Sequence, residues 1–321
     1  MQLSQFTKAK TQGDAALKAL FLAALFANTP LINYLNFYSM TGNADTQRKN
    51  SGKTGTGSKR TLNNDFAEPK VGAVAYGSSN IEIHGDKLVL DYAYEDRGGD
   101  ILSERRRQLE AFAPNFGQYL ANQVFNGTGA DGDIYGIKAL VPAGRCVKFG
   151  GDNGGEVLVG KSDTAIESQD MFLSAITGRM EAVIGGPDIM CMNGTGLSTL
   201  WSIAKHRMSI ANIVDAVGNT HSVKFFDNVP IINPGYTNDN SGLILPNTET
   251  CGTSTDCSSI YFLKFGEKEN LTAMTNVGMK VHDMGIVGVH YTTQVEIEMN
   301  QMLLDERAVA RLEGVRFPNF S

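Results

Sequence analysis

Leu120-Ala-Asn-Gln-Val-Phe-Asn-Gly-Thr-Gly129, followed four residues later by Ile134-Tyr-Gly-Ile137, is the stretch on which the reading of this chain turns. Ahead of it, Leu102, Leu109, Ala113, Phe116, Leu120 and Val124 keep one apolar stripe at helical spacing over roughly 25 residues from Asp100. At about 1.5 Å per residue this rod is about 35–40 Å long. Pro114 is expected to kink it or interrupt its hydrogen-bond ladder, and the glycine-rich run Asn126 to Asp133 ends it.

Downstream, the pattern predicts a second helix from about Asp170 to Val183, a strand over Asp188 to Asn193 and a third helix from about Gly196 to His206. A strand pair follows over Val223 to Ile232, broken at Asp227-Asn228. From Ile260 onward the chain is strand-like, with Val295, Ile297 and Met299 alternating with Glu296, Glu298 and Asn300 as in a half-exposed strand. Upstream, Ile81, Ile83, Leu88, Leu90, Tyr92 and Tyr94 read as strands interrupted at Gly85-Asp86. Thr41 to Asn64 is a long polar excursion carrying Arg48, Lys49, Lys53, Lys59 and Arg60. Before it, Leu17, Leu20, Phe21, Ala24 and Leu25 mark an amphipathic helix from Asp14 to a stop at Asn28-Thr29-Pro30. Mixed helices and strands of this kind make the fold class α+β.

The 321 residues amount to about two domains of typical size, enough to bury a core without disulfides or metal. With 42% hydrophobic and 19% charged residues the chain is foldable, and 35 glycines imply many turns. The net charge of −6 has the wrong sign for a surface that grips nucleic acid throughout. Cys146, Cys191, Cys251 and Cys257 form no CxxC pair and are expected as free thiols in a reducing compartment. The alternative is a Cys251–Cys257 disulfide closed in an oxidising medium. The apolar run 19–27 is shorter than the roughly 20 residues of a membrane span and lacks a basic leader, so the chain is expected to stay where it is made.

Gly52-Lys53-Thr54 looks like the end of a phosphate-binding GxxxxGK[ST] loop, but Gln47 stands where the first glycine belongs. His84, His206, His221, His282 and His290 never fall at a metal-ligand spacing. Asp96, Asp100 and Glu104 share a helical face and could hold a cation, yet Arg97, Arg105, Arg106 and Arg107 beside them point to ion pairs. No GxSxG elbow surrounds any serine. The acceptor sequons at Asn126, Asn193 and Asn270 carry no weight without a secretory signal. No catalytic, cofactor-binding or metal residue is therefore assigned, and the chain is expected not to be an enzyme. A nucleotide- or metal-dependent hydrolase is the distant alternative.

In their order along the chain, these elements resemble the major capsid proteins of tailed bacteriophages, whose Hong Kong 97-like fold is shared with encapsulins and the floor of herpesvirus shells. The resemblance rests on Leu120 to Gly129 with Ile134-Tyr-Gly-Ile, on Asp188-Ile-Met-Cys-Met-Asn with the helix around Leu200-Trp201, on Val229-Pro-Ile-Ile-Asn-Pro, and on Asp305-Glu-Arg-Ala-Val-Ala-Arg-Leu-Glu-Gly-Val. It implies an N-terminal arm (1–40), an extended loop (41–81), a peripheral domain with a long spine helix (82–127) and long strands (256–305), and an axial domain (128–255) closed by a C-terminal strand (306–321).

It also implies a shell protein that self-assembles as pentamers and hexamers into an icosahedral virion capsid, built in the host bacterial cytoplasm around double-stranded DNA. Portal, scaffolding and decoration proteins would be its partners, with no sequence-specific DNA contact and no membrane. An encapsulin-type nanocompartment is the alternative. The arm helix and the extended loop, lacking a core of their own, are expected to lie on a neighbouring subunit. The loop cations either pair between subunits or form a solvated face. Some family members weld subunits through a lysine late in the loop; Gly72 to Ser79 has none and Lys70 falls short of it, so no isopeptide cross-link is expected. No long scaffolding extension precedes the arm, which implies a separate scaffold or assembly without one.

Overall fold

In the computed structural model the described residues are 21, 25, 30–49, 59–65, 76–214, 220–239 and 241–318. Their strands, in chain order, are β1 (Phe37–Ser39), β2 (Ala44–Arg48), β3 (Tyr76–Asn80), β4 (Glu82–Asp91), β5 (Cys146–Lys148), β6 (Gly155–Glu156), β7 (Ile189–Cys191), β8 (Met208–Val214), β9 (Thr220–Phe226), β10 (Val229–Ile232), β11 (Glu249–Cys251), β12 (Ser254–Leu263), β13 (Leu271–Val287), β14 (His290–Leu303) and β15 (Val309–Arg316). The longer helices are α1 (Ile101–Asn126), α2 (Asp163–Ala182) and α3 (Gly194–Ile203). One sheet runs β1-β13-β14-β4. A second runs β5-β15-β12-β7-β10-β9-β8, with β11 on β12 and β6 on β15, and β2 and β3 pair as a separate ribbon.

Asp100 caps α1 by accepting the Leu102 N–H, and the helix presents Leu109, Ala113, Phe116, Leu120 and Val124 to the core as the stripe requires. Burying each larger side chain contributes about 1.5–3 kcal/mol. One expectation fails here. Leu102 is 73% exposed, and the inward position of the first turns belongs to Arg105 instead. The helix continues past Pro114, which removes one rung of its hydrogen-bond ladder, a loss offset by the buried residues on both sides of it.

The helix exit explains the glycines of the deciding stretch. The Gly136 N–H donates to the Gly127 carbonyl at 2.9 Å, and a β-carbon on Gly127 would stand 2.2 Å from the Ile134 carbonyl oxygen. Only two bare backbones can cross so closely. Gly85, read as a strand break, lies inside an unbroken β4 for the same reason, since a β-carbon there would meet the Val295 carbonyl at 2.2 Å. The break falls at Ile81 instead, and Tyr92 to Tyr94 leave the ladder as the start of a short helical turn.

The remaining elements follow the pattern with shifted ends. Helix α2 starts seven residues early, at Asp163 rather than Asp170, because Ser162 caps it by accepting the Ala165 N–H while its first turns stay largely exposed. The Asp227-Asn228 break is a two-residue hairpin with positive φ at both residues (46° and 69°), joining β9 to β10. Val295, Ile297 and Met299 are buried as expected, but Asn300 is fully buried too. Strand β12 pairs with β15 and β7, so a boundary at 255/256 falls inside it and the chain changes sheets between Leu263 and Leu271.

Most of the arm helix lies outside the described residues, but Phe21 and Leu25 are helical and fully buried in their own chain's core. Phe21 stacks on Phe112 and packs at 6.0 Å from Phe116, so this arm residue is covered by α1 of its own chain.

Asn300 accepts from the Tyr135 N–H at 2.9 Å and donates to the Asn80 carbonyl at 2.6 Å, tying the α1 exit and the ribbon base to β14. Asn300→Leu removes the buried side chain that holds both backbone groups and should cost about 1–3 kcal/mol, read as a lower urea midpoint with an unchanged slope.

Candidate assembly surface

Among the described residues, nothing covers the far end of the four-stranded sheet. The hairpin turn of β13 and β14 at Gly288-Val289 is backed by the Tyr92 N–H donating to the Val289 carbonyl at 3.1 Å. Around it Val89, Met284, Ile286, Val287 and Val289 are each about half exposed, with Leu102 on the adjoining first turn of α1. Monomers rarely leave so many neighbouring apolar side chains in water.

Arg105 holds this end in place. Its guanidinium pairs with Asp283 at 2.7 Å and donates to Thr293 at 2.7 Å, joining the start of α1 to both strands of the hairpin. The hydrogen bond from Arg105 keeps the Asp283 carboxyl below its ordinary pKa. Nothing in the stripe signals this residue except that a cation occupies an inward position.

The second surface is the ribbon. Strands β2 and β3 pair over five residues, from Ala44↔Asn80 to Arg48↔Tyr76, and only Gly77 and Ser79 of the ten are buried. Gly77 sits against Met302 and Tyr38 donates to Asp45 at 2.7 Å, which seats the base. Residues 59–65 are exposed throughout, including Lys59, Arg60 and an 89% exposed Leu62. Arg48 is exposed and Lys49 half-buried.

The sequence-derived candidates do not converge. Gly52-Lys53-Thr54, Lys70 and residues 72–75 lie outside the described residues. Asp100 is a helix cap, and Glu104 is held by both donors of Arg107, as the ion-pair reading expected. Among the described residues no three His, Cys, Asp or Glu side chains group as a metal site. All four cysteines are free thiols, and burial raises the pKa of Cys146, Cys191 and Cys257, the opposite of an activated nucleophile. The sequon asparagines have structural work: Asn193 caps α3 and donates to the Leu245 carbonyl and to Ser258, and Asn126 donates to the Ile244 carbonyl. No described helix is long and apolar enough to cross a membrane.

His84 is the buried titratable group that sequence reading passed over. Its Nδ1 lies 2.9 Å from the Tyr119 hydroxyl of α1, its Nε2 has no hydrogen-bond partner among the described residues, and Asp133 of the helix exit lies near. Burial lowers its pKa, against a smaller opposing pull from Asp133. The unfolded chain therefore binds this proton first, so the stability is full above the ordinary value of about 6.5 and drains as pH falls through the lower folded value. Thermal melts should show a lower Tm at pH 5.5 than at 7.5, with a smaller difference in His84→Gln. An equal difference in both proteins would assign the effect elsewhere.

No protein-family model matches the chain, and no curated protein sequence does. Solved structures do. The holo-SrpI encapsulin complex from Synechococcus elongatus PCC 7942 is similar at a TM-score of 0.61 and 14% identity, over 92% of this chain and 92% of that one. The capsid of the empty GTA particle is similar at 0.58 and 13%, over 90% of each chain. The capsid of cyanophage P-SCSP1u follows at 0.51 and 11%, over 90% of this chain and 89% of that one. The chain has the α+β Hong Kong 97-like capsid fold.

Proposed function

We propose that the chain is a self-assembling shell subunit, the major capsid protein of a tailed bacteriophage, forming an icosahedral virion head around double-stranded DNA. The observation that carries this reading is the uncovered apolar end of the four-stranded sheet on a capsid fold. Copies that meet there remove Val287, Val289 and their neighbours from water, and heterologous contacts of this kind close into rings and shells. In this assignment 1–40 is the arm and 41–81 the extended loop. Residues 82–127 with the β13–β14 hairpin form the peripheral domain, and 128–255 with β12 and 306–321 the axial domain. Pentamers and hexamers are its units, portal and scaffolding proteins its partners, and the host cytoplasm its place of assembly. The chain has no catalytic role in this reading. The net charge of −6 suits a container that must not hold its DNA tightly.

A nanocompartment shell is the second reading, favoured by the likeness to an encapsulin at a TM-score of 0.61. The long polar, cationic excursion favours the phage head.

The chain expressed alone should give rings or closed shells of uniform size in negative-stain electron micrographs and light scattering. A monomer that persists at high concentration, with or without a candidate scaffold, would exclude the shell reading. Particles from the producing cells should protect double-stranded DNA from nuclease; a protein cargo in its place would favour the nanocompartment. Val287→Asp with Val289→Asp should abolish assembly while moving the stability of the unassembled chain by less than about 1 kcal/mol, since both side chains are half in water. Denatured particles should run as one band, because the late loop offers no lysine for welding; a covalent ladder would reverse this.

A further inference from the structure

Between α2 and the edge strand β5 lies a cavity of about 720 Å³. Its floor is apolar, made by Phe149 and Leu312, and its α2 wall adds Ile166 and Met171, both about half exposed. Three carboxylates on that wall, Asp163, Glu167 and Asp170, stand at helical spacing on one face and make no ion pair among the described residues. Lys148, the lysine at the cavity, lies 3.8 Å from Asp152. On its outer side β5 has no partner strand among the described residues.

The complement is present elsewhere on the same chain. Lys59, Arg60 and Leu62 stand together on an exposed turn, closed by the Asn64 N–H donating to the Thr61 carbonyl at 3.2 Å, with positive φ at Asn63. Two cations precede an apolar side chain that is 89% exposed, the reverse image of an apolar floor with an acidic wall. We propose that this groove receives the Lys59–Leu62 turn of a second copy, Leu62 entering the apolar cavity and Lys59 and Arg60 facing Asp163, Glu167 and Asp170. This contact rests on the shell reading and names one of its joints. It gives the polar excursion a landing place on the neighbour, and being heterologous it can repeat around a ring.

The test uses the whole chain assembled into particles from a mixture of nitrogen-14 and nitrogen-15 labelled copies, treated with a zero-length carbodiimide. Mass spectrometry should find Lys59 joined to Glu167 or Asp170 in peptides that combine both labels. Glu167→Lys with Asp170→Lys, and separately Lys59→Glu with Arg60→Glu, should each lower the assembled fraction by about tenfold or more, and combining both reversals in one chain should restore it, since like charges across an interface are repulsive and the swap is not. Particles that form with Lys59 linked elsewhere, with the groove carboxylates linked to another protein, or with no response to the charge reversals would overturn the joint and leave the shell reading intact. Failure of the unmodified chain to assemble under any condition would remove both.

Discussion

Leu109, Ala113, Phe116, Leu120 and Val124 stay out of water because β4, β13 and β14 form one ladder beneath them, and the ladder keeps its register because α1 covers it. A one-residue slip of β14 would turn Val295, Ile297 and Met299 outward and bring glutamates beneath the helix. Phe21 of the arm packs beside this stripe, against Phe112 and Phe116, and Leu25 joins the same core. With this packing fixed, the ladder's end and the ribbon stay uncovered among the described residues.

Polar side chains at the junctions convert this packing into a defined shape. Arg145 donates to the carbonyls of Ala182, Arg307 and Val309, holding the end of α2 against the entry to β15. Asp188 accepts the Phe265 N–H, and Asn193 links α3 to β12 and the Leu245 carbonyl. Each satisfies backbone groups that would otherwise be buried without partners, a cost of about 1–3 kcal/mol apiece.

Most of this layout was legible in the sequence, since long amphipathic periods and glycine-rich exits are local signals. The α1 stripe, the Asp227-Asn228 hairpin and the alternation of β14 could be read directly. What was not legible depended on partners distant in sequence. Arg105 looks like a surface cation until Asp283 and Thr293 are folded beside it. Asn300 looks like a solvent-facing residue of an alternating strand, and Gly85 like a breaker until the Val295 carbonyl lies against it. The start of α2 was missed because its first turns are polar and only the Ser162 cap marks them. The groove beside β5 had no signal, because Leu312 closes its floor from nearly 150 positions beyond the α2 wall.

One contiguous cluster of close-packed side chains reaches from Phe21 through α1 to Ile189, Cys191 and Tyr261 of the second sheet. Such interiors are stiff and compress little. The chain is thus closer to a rigid tile than to two plates on a hinge. In the closed shell proposed above, differences in curvature between flat and pointed regions would be taken up in the seams around each tile, where a turn such as Lys59 to Leu62 would change angle without disturbing the interior.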